Sequence, residues 1–212
     1  MRYQLETIFF DLDGVLVDTS AIIKKTCVEV SKRLGLMPPS EKKLKETINK
    51  PPRQILIELF SAHLNEAREL YSYFWSKHIQ DAQPFEGIPE LLAGLQRTGL
   101  AIGTVTSRNG KDTSVLLNAS RILHYMDDVV TWGHYRAAKP SPNCIFIALE
   151  RIRKKAHGAA YLGDQPVDMM AAKRAGVLAI GASWGADDEV ALTQAGADMI
   201  INTPRELLEI IT

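Results

Sequence analysis

The sequence predicts an α/β protein: a parallel sheet with helices on both faces, interrupted after its first strand by an inserted all-helical cap domain. Three observations lead there. A short apolar, β-rich run, Thr7–Phe10, stops abruptly at Asp11-Leu12-Asp13-Gly14, the pattern of a buried central strand that ends at a polar site. From Asp18 to about Asp81 the periodicity is helical only. After Pro84, strand and helix alternate to the C-terminus, which implies right-handed crossovers and a parallel sheet covered on both faces.

Taken in order, Asp18 or Thr19 can N-cap a first helix with apolar positions at Ile22, Ile23, Val30 and Leu34 and a stop at Gly35. Pro38-Pro39 breaks the chain, and Ser40 can cap the next short helix. Pro51-Pro52 breaks it again before a helix over residues 53–64, and Asn65 can cap a fourth carrying Leu70, Phe74 and Trp75. Beyond Phe85-Glu86-Gly87, strands fit residues 101–105, 129–131, 159–162, 178–180 and 199–201. Helices fit residues 89–97, 111–118, 142–154, 167–175, 189–194 and 206–210. Thr203-Pro204-Arg205-Glu206 reads as a capping box with Pro at the first helical position. The expected division is a discontinuous core, residues 1–16 and 84–212, around a helical domain at 17–83. The linkers at Asp18 and at residues 81–84 suit a cap that closes over the core to exclude water.

Composition narrows the function. Lys plus Arg and Asp plus Glu both total 25 in 212 residues, so the net charge is zero. Such a balance points to no nucleic acid and no anionic membrane surface as partner, and any attraction for an anionic substrate must be local. Cys27 and Cys144 lie far apart in helix-like patterns without metal-ligand spacing, as two buried thiols would. No signal peptide is read at the start, and no apolar run approaches the ~18 residues of a membrane span. A soluble, cytoplasmic monomer or homodimer is the expectation.

Ligands of an open parallel sheet sit beyond the carboxyl ends of its strands. Asp11 and Asp13 follow the first strand, Thr106 and Ser107 the second, and Lys139 lies in a later loop. Gly163-Asp164 ends the strand at 159–162, with Asp168 four residues on. A carboxylate can attack phosphorus and hold an aspartyl-phosphate, splitting one hard displacement into two easier ones. That attack needs donors and positive charge on the phosphoryl oxygens, which Thr106 and Lys139 supply, with Ser107 an alternative donor. Magnesium prefers hard oxygen ligands, and Asp11 and Asp164 offer them. Asp13, two residues from Asp11 and on the same side, is placed to protonate a leaving alkoxide and later deprotonate water. Each feature also has a plain alternative. Asp11-x-Asp13-Gly14 is a common strand-to-turn junction, Lys139 an ordinary loop lysine, and Asp168 a residue that favours a helix dipole.

Phe9-Phe10-Asp11-Leu12-Asp13-Gly14-Val15, Thr106, Lys139-Pro140 and Gly163-Asp164-Gln165-Pro166-Val167-Asp168 resemble the four motifs of the haloacid-dehalogenase-like hydrolase superfamily, in chain order. The helical insert resembles the cap of its phosphoglycolate phosphatase and β-phosphoglucomutase branch. The resemblance implies a Rossmann-like core, Asp11 as nucleophile, Asp13 as general acid/base, and Thr106 and Lys139 as phosphate ligands. It further implies magnesium held by Asp11, Asp164 and the backbone carbonyl of Asp13, with Asp168 a ligand or a support to one. Gln165-Pro166 departs from the small hydroxyl residue the family more often carries there. Members resembling haloacid dehalogenases or phosphonoacetaldehyde hydrolases lack an acid at the Asp13 position, so phosphate esters are favoured.

A phosphatase for a small phosphorylated metabolite is therefore the expectation, with phosphoglycolate first and sugar phosphates next. A sugar phosphomutase is a rival, although residues 18–34 lack the His such members carry. Pyrophosphatase, nucleotide phosphatase and a catalytically idle domain binding a phosphometabolite or a protein complete the alternatives. For substrate contacts the sequence offers Lys24, Lys50, Arg53 and Trp75 in the helical domain. On the active edge it offers Arg108, Asn109 and Ser183-Trp184-Gly185. His63, His78, His124, His134 and His157 have no metal-ligand or triad spacing.

Overall fold

The computed structural model describes residues 3–48, 50 and 52–211. Pro51 of the expected Pro51-Pro52 break and Met1-Arg2 at the start lie outside the described residues. The chain forms two compact units, one running to Val17 and resuming at Pro84, the other Asp18–Gln83.

In the first unit six strands form one sheet: β1 (Thr7–Phe10), β2 (Ala101–Asn109), β3 (Asp128–Trp132), β4 (Ala159–Gly163), β5 (Leu178–Ala182) and β6 (Met199–Ile201). Their order is β3-β2-β1-β4-β5-β6, and each pairing is parallel. The strand order reverses between β1 and β4, which makes that crevice the topological switch point. Phe10 is in register with Thr104 on one side and Leu162 on the other, so β1 and β4 end nearly level while β2 runs on beside them.

β1 is buried throughout because it is central and covered on both faces. Phe9 packs with Cys144, Ile145 and Ala148 of one helix, α7 (Asn143–Arg151), and with Met169, Ala171 and Ala172 of the next, α8 (Pro166–Ala175). Gly103 makes the room: a Cβ there would stand 2.7 Å from the Phe9 ring. Ile8 and Phe10 point to the opposite face by alternation and are fully buried. Each such side chain contributes about 1.5–3 kcal/mol by its burial. Helix α5 (Ile88–Arg97) buries Ile88, Leu91, Leu92 and Leu95, and Leu208 of α10 (Pro204–Ile210) fits against its Gly94. Helices α6 (Gly110–Ala119) and α9 (Glu189–Gln194) complete the layers.

The second unit is helical: α1 (Ser20–Arg33), α2 (Glu41–Thr47), α3 (Pro52–Phe60) and α4 (Leu64–His78). Ile22, Ile23, Cys27 and Val30 form the buried stripe of α1; Ala67, Tyr71 and Trp75, four residues apart, form that of α4. The Tyr71 and Trp75 rings lie parallel at 6.3 Å. Among the described residues no helix is long and apolar enough to cross a membrane.

Several expectations are corrected. Thr19 precedes α1 without a side-chain cap; Asp18 Oδ1 instead accepts from the Ser20 N–H at 2.9 Å. The helix expected at 53–64 ends at Phe60, and α4 begins at Leu64, leaving Asn65 inside it rather than capping it. Ser40 does cap α2, accepting from Lys43 N at 3.2 Å. β2 continues past residue 105 to Asn109, because pairing resumes between Asn109 and Trp132 after a register shift. Thr203 accepts no capping bond; its hydroxyl donates to Glu206, whose other oxygen accepts from Asn202 N at 3.1 Å. The reciprocal capping box is at Gln165 and Asp168.

Candidate active site

Asp11 is the first residue past β1. Its N–H donates to the Leu162 carbonyl at 2.9 Å, which carries the strand's line one residue further. Its Oδ1 accepts from Leu12 N at 2.8 Å, and its Oδ2 lies 3.0 Å from the Lys139 ammonium. Lys139 is no loop lysine in solvent: its side chain is 4% exposed, and Nζ also meets Asp168 Oδ1 at 2.6 Å and the Tyr161 hydroxyl at 2.9 Å. Tyr161 in turn donates to the Val105 carbonyl at 3.0 Å, fixing the lysine from a fully buried position in β4.

Asp168 is both helix cap and site residue. As the third residue of α8 it accepts from Gln165 N through Oδ2 at 3.0 Å, while its Oδ1 faces Lys139. The two readings of the sequence are thus compatible, since a carboxylate has an oxygen for each task. Asp164, at the end of β4, accepts from Ala186 N through Oδ2 at 2.8 Å, and its Oδ1 is buried without a hydrogen-bond partner. Two glycines enclose it. A Cβ on Gly14, whose φ is +76°, would fall 1.9 Å from Asp164 Oδ2, and one on Gly185 would fall 2.2 Å from Asp164 Cβ. Only residues without side chains allow both backbones this close.

Asp11, Asp164 and Asp168 are all buried, and each offers an oxygen within 4.8 Å of the others. Burial first, and Asp168 and Asp13 with it, push the Asp11 carboxyl up to about 7 against the pull of Lys139. Burial, then Asp168 and Asp11, push Asp164 well above the usual carboxylate range. Burial alone would lower Lys139, but Asp11 and Asp168 outweigh it and hold the ammonium well above its ordinary value. Were all three carboxylates ionised, one ammonium would leave a formal charge of minus two in a buried place, which is the cost that raises Asp11 and Asp164. A dication answers both this charge and the orphaned Asp164 oxygen, and the donors are hard oxygens suited to magnesium. The residues present fit such an ion: Asp11, Asp164 and Asp168 could each offer it an oxygen, and Asp168 holds the lysine as well.

Asp13 stands outside this acidic cluster. Arg108 forks onto it, Nε to Oδ2 at 2.9 Å and the terminal nitrogen to Oδ1 at 2.6 Å. Thr106 is buried at the edge, its Oγ1 accepting from Arg108 N at 3.2 Å and its carbonyl from the Tyr135 hydroxyl at 2.9 Å. Ser107 is exposed beside it, and Asn109 is committed to capping α6. Trp184 donates to the Val15 carbonyl at 3.2 Å and Ser183 bonds Asn202, so both brace the Gly185 turn. Sequence reasoning missed Tyr161, Tyr135 and the Ala186 amide. For Tyr161 a signal existed: a tyrosine in a strand buried on both faces must find a polar partner.

The haloacid dehalogenase-like hydrolase family profile matches residues 8–182, which span Asp11, Asp13, Thr106, Arg108, Lys139, Tyr161, Asp164 and Asp168. The chain belongs to that family. An N-acetylmuramic acid 6-phosphate phosphatase of Pseudomonas aeruginosa is 25% identical over 99% of this chain and 96% of its own length. A phosphoglycolate phosphatase of Aquifex aeolicus is 26% identical over 98% and 97%, and a pyrophosphatase of Bacillus velezensis 28% over 98% and 96%. The solved structure of a haloacid dehalogenase-like family hydrolase from Streptococcus pneumoniae superposes with a TM-score of 0.83 at 26% identity, covering 97% of this chain and 98% of that one. In this haloacid dehalogenase-like hydrolase the helical unit carries the other sequence candidates. Arg53 is exposed on α3, Lys50 pairs with Glu58 at 2.8 Å, and Trp75 is core. Lys24 flanks a groove between α1 and α2.

Proposed function

We propose that this hydrolase is a magnesium-dependent phosphatase of a small phosphate monoester, working through an aspartyl-phosphate on Asp11. The observation that carries the reading is Lys139: a buried ammonium touching the proposed nucleophile at 3.0 Å, where phosphoryl oxygens need a cation. An Asp11 oxygen attacks phosphorus as the bond to the ester oxygen breaks, and Asp13 gives the leaving oxygen its proton. Water then attacks the aspartyl-phosphate, Asp13 takes the water's proton, and phosphate leaves. Thr106 and Lys139 hold the phosphoryl oxygens. Asp11 and Asp164 would hold magnesium, which would supply positive charge to offset the negative charge of nucleophile and phosphate.

The substrate is proposed as a small phosphorylated metabolite. The reading is supported by three relatives named as phosphatases or pyrophosphatase, whose named substrates each contain an acidic group in addition to the phosphate that is released. The test is phosphate release from phosphoglycolate, sugar phosphates, nucleotides and pyrophosphate, with magnesium and with chelator. Release should need magnesium and fall at least about a thousand-fold in Asp11→Asn. Turnover that survives that substitution removes Asp11 as nucleophile; turnover indifferent to chelator removes the metal.

A further inference from the structure

We infer that Arg108 selects substrates bearing a second anionic group, a carboxylate or a second phosphate, and that this group takes the guanidinium away from Asp13. The inference rests on the phosphatase reading and names its substrate class. In the structure both oxygens of Asp13 accept from Arg108, at 2.6 and 2.9 Å, so neither faces a leaving-group oxygen unencumbered. Asp13 is the acid at the end of β1 that does not join the cluster of Asp11, Asp164 and Asp168. Its pairing is therefore an arrangement of its own.

The geometry sets what can break the pair. A guanidinium fork matches a carboxylate or a phosphate bidentately, and little else. A substrate carboxylate offers Arg108 the same bonds it gives up, so the exchange is nearly level. An ester whose leaving group is uncharged brings no second anion in return, and freeing Asp13 then forfeits two charge-assisted hydrogen bonds. The site's other cation cannot take this part. Lys139 is 4% exposed and already spans Asp11 and Asp168, whereas the Arg108 side chain is 14% exposed and the Asp13 side chain 30%. Arg108 is also tethered where a substrate passes: its amide donates to the hydroxyl of Thr106, the proposed phosphoryl ligand two residues earlier. Asp112, 3.8 Å from the guanidinium, remains as a second acid on which the moved arginine can rest.

The experiment compares 2-phosphoglycolate with 2-hydroxyethyl phosphate, which replaces the carboxylate by an alcohol, in wild type, Arg108→Met and Arg108→Lys. The kcat/KM ratio should favour the carboxylate by about ten- to a hundred-fold in wild type. It should shrink to within roughly three-fold in Arg108→Met and recover in part in Arg108→Lys. In parallel, calorimetry with 3-phosphonopropionate and propylphosphonate reads the same preference without turnover. A wild type that binds the carboxylate phosphonate more tightly through Arg108, yet hydrolyses neither ester nor any of the sugar phosphates, nucleotides or pyrophosphate, upholds the inference and sinks the phosphatase reading. Equal binding of the two phosphonates by wild type overturns the inference, as does an unchanged ratio in both Arg108 variants, which would mark the pair as a fixed strut.

Discussion

The α/β unit and the helical unit handle charge in opposite ways. In the helical unit the ion pairs keep contact with solvent: Lys25–Asp81 is 55% and 65% exposed, Lys32–Glu29 59% and 36%, and even Lys50–Glu58 35% and 22%. Buried polar side chains there are neutral hydroxyls with partners: Ser31 returns to the Cys27 carbonyl, Thr47 to the Lys43 carbonyl, and Thr26 meets the His78 ring. In the α/β unit three carboxylates and a lysine are buried together, and within that cluster Asp164 Oδ1 has no hydrogen-bond partner. Folding gains little from burying charge, because desolvation offsets the attraction. The helical unit shows what a stability-driven sequence does with its charges. The strand ends of the α/β unit show the opposite, and that departure marks the working part of the molecule.

The largest test of this contrast is to delete one lysine from each unit. Lys139→Ala strands Asp11 and Asp168 without their cation and should cost about 3–5 kcal/mol in denaturant unfolding. Lys25→Ala should cost less than about 1 kcal/mol, since its pair is exposed and screened. Similar losses from both would erase the distinction.

A smaller effect should separate the units through magnesium. An ion that binds only the folded site stabilises by mass action, about 2.7 kcal/mol at a hundred times its dissociation constant. Wild type should therefore melt higher with magnesium than with chelator. Gly185→Ala, whose Cβ would collide with Asp164, should abolish that gain, while Lys25→Ala keeps it. A gain preserved in Gly185→Ala would detach Asp164 from the metal.

The smallest concerns acid. Burial first, and then Lys25, hold the His78 imidazole below its ordinary 6.5 against the pull of Asp81 and Glu29; Thr26 Oγ1 lies 3.3 Å from its Nδ1. A base depressed in the folded state gives stability that is present above the unfolded value and lost as pH falls through the folded one. The helical unit should weaken slightly between about pH 7 and 5, and less so in His78→Gln. An NMR titration placing His78 at or above its ordinary value would break this expectation.

Much of the fold was legible because the relevant physics is local. Thr7–Phe10 followed by Asp11 reads as a buried strand ending in a site, and the alternation after Pro84 reads as crossovers. Boundaries failed where non-local contacts decide them, as at β2, which β3 extends to Asn109. Thr203 and Glu206 have a capping-box sequence, yet the Glu206 carboxylate found the Asn202 amide; Gln165 and Asp168 formed the box instead.

By itself the sequence picked out the candidate residues, because period-two alternation and turn chemistry are written in neighbouring residues: Asp11, Asp13 and Asp164 just past strands, and Thr106, Lys139 and Asp168 in β2, a loop and α8, were all readable. Tertiary structure alone decided how they divide the work. It put Asp164 between two glycines, gave Asp168 to Lys139, brought Tyr161 beneath that lysine and locked Asp13 to Arg108, 95 residues away. Such pairings depend on which strand lies next to which, and on where burial removes water so that each charge must find a partner, and neither is encoded in any one stretch of chain.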